Sequence, residues 1–599
     1  MTKRTIRIGN AGGYWGDDPT ALRRQLAGGP LDYVSIDYLA EITMSILQKQ
    51  RQADPQLGYA GDFVTQLRDC LPLALERGTR IVTNAGGINP VALGRRLIAL
   101  ARELGLDLKV GVVHGDDIAA QLPALLAGGE RFAHMETGAP LAPHLGRVLS
   151  ANVYFGAEPV VRALAEGCQV IVTGRVTDTG ITLAPLIHEF GWDMADWDRM
   201  AAGVVAGHII ECGCQASGGN LTDWDDVPSY RNMGYPIVEV EADGAFTVTK
   251  HPRTGGLVSL KSVKEQLVYE MGDPACYISP DGVARFDTIQ LAEAGRNRVR
   301  VWGVQGLPAP ETLKVSLTIA DGWKATGELL VSGPDVRRKA NVIAAALWRR
   351  LEDLDSRCEA THASLVGDDA AWPPALRGAE PREILLRLGV RDHDRARVET
   401  FGVQLPALIL AGPPGLAVTG GRPKPAPVVA YWPALLRREH APARVLTLDT
   451  AGAERSWEVP FPHRGAGAPP PPRRPRRARP APPAPGRTRR VLLRDLAYAR
   501  SGDKGDTCNI GVLARSPAIY AWLLANLTAA RVRAFFKGRV RGRVVRHELD
   551  NLQALNFLLE EALGGGGTVS LLIDPQGKTF AQALLQLPLE VPASLLKSR

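Results

Sequence analysis

Two stretches of this 599-residue chain carry the same four residues in matching surroundings. Asn10-Ala11-Gly12-Gly13 follows the segment Thr5–Gly9 and leads to Asp18-Pro19; Asn84-Ala85-Gly86-Gly87 follows Arg80–Thr83 and leads to Asn89-Pro90. In each, a strand-like segment runs into glycines, and an Asp or Asn suited to cap a helix stands before a proline suited to its first turn. Glycine lets backbone approach a ligand closely, and the N–H groups at a helix start attract anions. The loops are therefore expected to offer Asn10, Gly12, Gly13, Asp17, Asn84, Gly86, Gly87 and Asn89 to a phosphate, a carboxylate or a thioester carbonyl. A tight turn without a ligand is the plainer alternative.

Two further segments add groups that can move charge. Gly174-Arg175-Val176-Thr177-Asp178 follows the strand-like run Cys168–Thr173. Its guanidinium suits a carboxylate or phosphate, with Asp178 to orient it, or forms an ion pair that stiffens the turn. A helix from about Met200 brings His208 and Glu211 to one face, three residues apart, and breaks at Gly213. Glu211 is a candidate general acid or base, and Cys212 a candidate nucleophile if its thiol pKa is depressed. Buried, inert cysteines beside a satisfied histidine are the alternative. Cys212-x-Cys214 with one nearby histidine is not a zinc spacing, so no metal is expected. Asn220 closes this segment, and a polar loop, Asp503-Lys504-Gly505-Asp506, stands far downstream. His114 with Asp116 and Asp117, Glu136 and Glu158 read as caps or solvated turns.

Short Ile- and Val-rich strands alternating with helical stretches such as Val91–Leu104 and Pro159–Glu166 position these loops. That alternation predicts a large α/β domain on a mainly parallel sheet. From about Pro236 the texture changes to strands of a mixed subdomain, Ile237–Val240, Phe246–Val248 and Leu313–Ala320, before a helix at Val336–Leu351. Residues 461–490 form a linker: from 464 to 490 there are nine prolines, nine arginines and no acid. The organisation is thus 1–460, a linker, and a small α+β domain over 491–592. In the last, strands are expected at Leu492–Ala497, Asn509–Leu513, Arg543–Glu548 and Thr568–Ile573, and helices at Ala518–Asn526, Asn551–Ala562 and Phe580–Leu585.

The formal charge of +8 invites a nucleic-acid reading. The nine linker arginines account for more than the whole surplus, so no basic face is required of the folded domains. There is no apolar run long enough for a membrane span and no secretory signal, and seven cysteines read as reduced thiols. A cytoplasmic protein is expected, with a small-molecule substrate, no nucleic-acid or membrane partner, and homo-oligomeric assembly. GxGxxG, GxxxxGK[ST] and G-x-S-x-G patterns are absent from these loops, against a nucleoside-triphosphate enzyme or an α/β-hydrolase.

The motifs IGNAGGYWGDDP at 8–19, VTNAGGINP at 82–90, VTGRVTDT at 172–179, GHIIECG at 207–213 with GGN at 218–220, and ARSGDKGDTCNIG at 499–511 resemble the acyclic terpene utilisation (AtuA) family across nearly the whole chain. Cys214 departs from the resemblance, which expects a small residue such as Ala there. The resemblance implies a large AtuA domain followed by a ferredoxin-like domain, and a place in catabolism of acyclic terpenoids or branched acyl-CoA compounds. Joined to the loops above, it implies a lyase, hydratase or acyl-transfer enzyme acting on a carboxylated acyl-CoA, with coenzyme A as part of the substrate. The alternative is a non-catalytic partner of an acyl-CoA carboxylase or hydratase.

Overall fold

The computed structural model describes residues 5–39, 41–461 and 486–596. Most of the expected linker, residues 462–485, lies outside the described residues. Two compact units emerge. The first takes in the described residues of Met1–Thr318, Trp432–Arg477 and Leu549–Leu552; the second takes in those of Ile319–Tyr431, Ala478–Glu548 and Gln553–Arg599.

The first unit opens with β1 (Thr5–Asn10), α1 (Ala21–Gly28), β2 (Tyr33–Ile36), α2 (Glu41–Ala53), α3 (Gly61–Arg77), β3 (Arg80–Thr83), α4 (Pro90–Glu103) and β4 (Lys109–His114). It continues through α5 (Leu122–Ala127), β5 (Val148–Val153), α6 (Glu158–Ala165), β6 (Val170–Thr173), α7 (Gly180–Phe190) and α8 (Trp197–Ile210). Then come β7 (Pro236–Glu241), β8 (Phe246–Lys250) and α9 (Leu260–Leu267). At the sheet centre the order is β1-β2-β3-β6-β4, all parallel. Every residue of β2 and β6 is buried, as expected where helices cover both faces of a parallel sheet. Leu22 and Leu26 of α1, Phe63 and Leu67 of α3, and Leu93 and Leu97 of α4 build the core on one face.

Strand order explains where a site can form. The chain advances from β1 to β3, oversteps to β4, then returns to place β6 between them. Right-handed crossovers put α4 and α6 on opposite faces, and α7, which follows β6, packs beside α6. The connections leaving β3 and β6 thus diverge, which opens a crevice at the carboxyl ends of these neighbours.

The sheet is not mainly parallel. Its four central parallel pairings are flanked by antiparallel ones on both sides. β7 runs antiparallel to β1, from Thr5 opposite Glu241 to Gly9 opposite Ile237, and β8 follows as a hairpin. Arg444–Asp449 pairs antiparallel with β4 on the other side. Ile237–Val240 and Phe246–Val248, expected in a mixed subdomain, therefore extend the same sheet, whereas Leu313–Ala320 falls in the long strand Thr312–Ser332 of another sheet. Short hairpin connections permit only antiparallel neighbours, since a parallel return needs a longer crossover.

The second unit has an antiparallel sheet ordered Ala360–Val366, Glu383–Asp392, the Trp323–Ser332 part of the strand Thr312–Ser332, and Leu416–Thr419, under the helices Val336–Asp353 and Arg395–Ala411. It also has a four-stranded antiparallel sheet: Ala497–Lys504, Thr507–Ala514, Ala554–Leu559, Val544–Leu549. Helices Pro517–Asn526 and Phe580–Leu584 fall where the sequence places them. The helix expected over Asn551–Ala562 is instead the interior strand Ala554–Leu559, paired with Thr507–Ala514. Its Ala and Leu residues favour helix locally, but burial between two strands overrides that preference. No strand forms at Thr568–Ile573, and Leu492 ends one strand before Ala497 begins another.

Candidate functional site

Four of the five central strands deliver a polar residue to the crevice side of the sheet. β1 ends on Asn10, β2 is followed by Asp37, β3 by Asn84 and β6 by Gly174-Arg175. All four side chains are buried. Asn10 folds back on its own loop: its Nδ2 donates to Gly12 O and its Oδ1 accepts from Gly12 N, both at 3.0 Å. Asn84 instead reaches sideways. Its Nδ2 donates to Asp37 Oδ1 at 2.6 Å and its Oδ1 accepts from Tyr38 N at 2.7 Å.

Arg175 is clamped by the protein itself. Nη1 donates to Leu39 O at 3.0 Å and lies 3.4 Å from Asp178 Oδ1; Nη2 donates to the Tyr154 hydroxyl at 2.8 Å. The guanidinium carbon sits 4.1 Å from the centre of the Tyr154 ring. Behind it, buried Asp116 accepts from Arg175 N at 2.9 Å and Asn152 Nδ2 at 2.8 Å. Burial pushes the Asp116 carboxyl up to about 6. This is not the solvated turn expected of Asp116. Gly174 is required here: a Cβ on it would stand 2.2 Å from Asp116 Oδ1. Burial first, and then the Asp178 carboxylate, hold Asp37 well above the usual carboxylate range, although Asn84 and Arg175 pull the other way.

The end of α8 supplies the second group. His208 Nε2 faces the backbone oxygen of Gln266 at 3.0 Å, and the Gln266 side-chain amide donates to His208 O at 3.1 Å. A carbonyl only accepts, so Nε2 carries a hydrogen. Nδ1 then faces Glu211 Oε1 at 3.2 Å. A carboxylate at this distance favours a proton on Nδ1, so the two groups are placed to take up or release one. Tyr277 and Phe286 pack their rings 5.3 Å from the imidazole. Burial, then Glu211, raises the Tyr277 hydroxyl well above its ordinary value, with Asp178 and Glu270 contributing.

Cys212 does not meet the condition set for a nucleophile. Burial, then Glu211 and Glu270, push its thiol well above the ordinary value, and no cation is near enough to stabilise a thiolate. Cys214 is likewise pushed up to about 12 by burial and Asp17. Among the described residues no group of three His, Cys, Asp or Glu side chains is arranged to hold a metal ion.

The family model for the acyclic terpene utilisation protein AtuA matches residues 6–447, and the model for the AtuA ferredoxin-like domain matches 491–590. The chain belongs to the AtuA family. Its place is therefore in the utilisation of acyclic terpenes. Neither the curated proteins nor the solved structures hold a match to it. No helix among the described residues is long and apolar enough to cross a membrane.

In this AtuA chain the loops expected to receive an anion spend many of their donors internally. Gly13 N donates to Asp17 Oδ2 at 2.9 Å, and Asp17 Oδ1 accepts from Tyr235 Oη at 2.7 Å. Asp18 takes Thr20 N and pairs with Arg24, so the start of α1 already holds a carboxylate; the helix cap is Thr20, not Asp18. Asn89 caps α4 as expected and anchors to Pro55 O and Leu57 O. A cavity of about 370 Å³ opens beside the first loop, lined by Asp17, Asp18, Asp62, Tyr14 and Tyr38 among others. Three carboxylates there disfavour a phosphate.

The structure thus gathers Arg175, Asp178, His208, Glu211 and Cys212, with Gly13 against the backbone of Cys212 and Gly213. Gly86 packs on Thr173 O and Gly87 on Leu47 and Gly58 O. Asn220 is exposed, with a left-handed φ of 55°. Asp503, Lys504 and Asp506 belong to the second unit. There Asp503 faces Lys578 at 3.5 Å, Lys504 stands opposite Thr507, and Asp506 accepts from Leu563 N and Gly565 N. Asp37, Gln266, Glu270 and Tyr277 were not singled out in the sequence. Asp37 alone had a signal: it follows a parallel strand at its carboxyl end, as Asn10, Asn84 and Gly174 do.

Proposed function

We propose that this protein is a cytoplasmic enzyme of acyclic-terpene catabolism that transfers protons beside a carbonyl, a hydratase or lyase acting on a branched acyl thioester. The observation that carries the reading is the approach of Glu211 Oε1 to 3.2 Å from Nδ1 of the buried His208. A carboxylate–imidazole pair of this kind takes a proton from carbon and returns it without solvent competing. The Gln266 carbonyl fixes the tautomer by accepting from Nε2. The family's acyclic, branched substrates give the chain its chemical context, and a carboxylated acyl-CoA remains the favoured substrate. Its phosphates stay clear of the acidic cavity beside the first loop, and the acyl end approaches the pair.

The test uses a 3-methyl-branched enoyl-CoA and its 3-hydroxy counterpart in deuterated buffer, with mass spectrometry of the acyl group. Wild-type protein is expected to incorporate deuterium next to the thioester or to interconvert the two. Glu211→Gln should slow this by about 100-fold or more, the usual weight of a positioned acid or base. No incorporation and no interconversion by the wild type sinks the reading.

A further inference from the structure

Three helices that pack on the parallel sheet have their starts filled by the protein's own side chains. Asp18 accepts from Thr20 N before α1, Asn89 accepts from Ala92 N at α4, and Asp281 Oδ1 accepts from Ala157 N before α6 at 2.7 Å. α7, which follows β6, starts differently. Thr179 stands before Gly180, and its side chain makes no capping bond. Gly180 N donates to Thr177 O and Thr182 N to Thr179 O, but among the described residues neither Thr179 N nor Ile181 N meets an acceptor. The Thr179 hydroxyl is a separate sign of the same vacancy for an acceptor. Thr179 is 1% exposed, and its Oγ1 has no hydrogen-bond partner. A buried polar atom left unpaired costs stability, and it persists in a fold where a ligand completes it.

α8 sets where these donors stand. Gly207 packs on Thr179: a Cβ there would lie 2.8 Å from Thr179 Cα and 3.0 Å from its Cβ. Glu211 N donates to Gly207 O at 2.8 Å, so Glu211 sits one turn further along the same face of α8. The hydroxyl thus lies in the seam between the start of α7 and the end of α8, beside the His208–Glu211 pair. Thr177 and Asp178, just before it, are half-buried and form the accessible rim of the loop.

We propose that the start of α7, through Thr179 Oγ1, Thr179 N and Ile181 N, receives the uncharged carbonyl oxygen of the substrate thioester. The assignment rests on the function proposed above and names the part of the substrate that this end of the crevice takes. Asp178 and Glu211 flank the donors and repel a carboxylate or a phosphate. The N–H groups of a helix start suit an oxygen that arrives neutral and gains charge during reaction. The C–H bond beside the thioester breaks and its proton passes to the His208–Glu211 pair. Its electrons form a C=C bond to the carbonyl carbon, and the carbonyl π pair moves onto the oxygen, where the three donors stabilise it.

The test uses 3-methylbutanoyl-CoA, isotope-labelled at the carbonyl carbon, which can be neither hydrated nor dehydrated. Infrared difference spectra of the full-length protein should show the thioester C=O band at lower wavenumber when bound than when free. In Thr179→Val the band should return towards its free position, and Thr179→Ser should keep the shift. Without ligand, Thr179→Val should unfold at a midpoint no lower than wild type, because a methyl replaces a hydroxyl that has no partner. In the deuterium assay the same variant should lose about 100-fold or more in kcat with little change in KM. The free acid, 3-methylbutanoate, should not displace the thioester. The inference is overturned if the thioester raises no unfolding midpoint at millimolar concentration, if its bound band stays at the free position, if the free acid displaces it, or if Thr179→Val unfolds earlier than wild type. A shifted band without any deuterium incorporation leaves the carbonyl site standing and removes only the proposed reaction.

Discussion

The two Asn-Ala-Gly-Gly loops are the same in sequence and differ in use. In the first, Asn10 satisfies Gly12 on both its polar backbone atoms and contacts no ionisable group through them. In the second, Asn84 leaves its own loop to hold Asp37 and Tyr38. The glycines differ as well. Gly13 packs on the backbone that follows α8, whereas Gly86 packs on the end of β6. A repeated motif after two parallel strands therefore marks two equivalent positions in a sheet, not two copies of one binding function. The neighbours decide: β1 has the antiparallel β7 on one side, while β3 has β6 and the crevice.

The largest break in this comparison comes from Arg175, which supports the second loop's side of the sheet and not the first. Arg175→Met keeps bulk but removes the donors to Leu39 O and Tyr154 and leaves the Asp178 carboxylate beside Asp37 without its cation. Leaving the acceptors Leu39 O and Tyr154 Oη without their donor costs about 1–3 kcal/mol each, and the partly exposed Asp178 adds little. Urea unfolding should show a loss of that size, and a loss near zero would mean that Arg175 is held only loosely.

The glycines come next. A Cβ at Gly86 would meet Thr173 O at 2.5 Å and Pro90 Cβ at 2.6 Å; one at Gly13 would meet backbone of Cys212 and Gly213 at 2.7 Å. Backbone cannot swing aside as a side chain can. Gly86→Ala and Gly13→Ala should each lose about 1–3 kcal/mol by overpacking, measured by thermal unfolding. They should part in their local effect. Gly13→Ala disturbs the turn after Glu211 and should cut the deuterium incorporation more than it cuts stability, while Gly86→Ala should do the reverse.

Much of this frame was readable in the chain. β3 falls on the expected residues, Asn89 caps α4, and His208 and Glu211 meet at the end of α8 because a three-residue spacing puts them on one helical face. What could not be read was set by strand order. Nothing local in Tyr33–Ile36 says that β2 will lie next to β3, or that β6 will slip between β3 and β4. Asp37 thus looked like an ordinary residue after a strand. The internal use of the loops' donors was hidden for a related reason. Gly13 and Thr20 do present N–H groups, but Asp17 and Asp18, a few residues away, take them. The strand at Ala554–Leu559 was hidden because its local preference is helical and only its two neighbours make it a strand.

The smallest effect is the sharpest test of the comparison. Asn10→Ala and Asn84→Ala each remove two hydrogen bonds from a buried side chain, and each should cost about 1–3 kcal/mol at a pH where Asp37 is protonated. Their pH dependence should then separate. The Asn84 amide stabilises the ionised form of Asp37, so its loss drives the Asp37 value still higher. A group raised in the folded state contributes stability at low pH that disappears as pH rises through its folded value. In Asn84→Ala that fall extends to higher pH than in wild type, so the deficit of the variant should widen as pH rises. The Asn10 side chain bonds to Gly12, and its loss should give the same deficit throughout. Urea unfolding from about pH 5 to about pH 8 checks this. Parallel curves for the two variants would show that Asn84, like Asn10, only pins a turn, and the distinction drawn between the loops would fall.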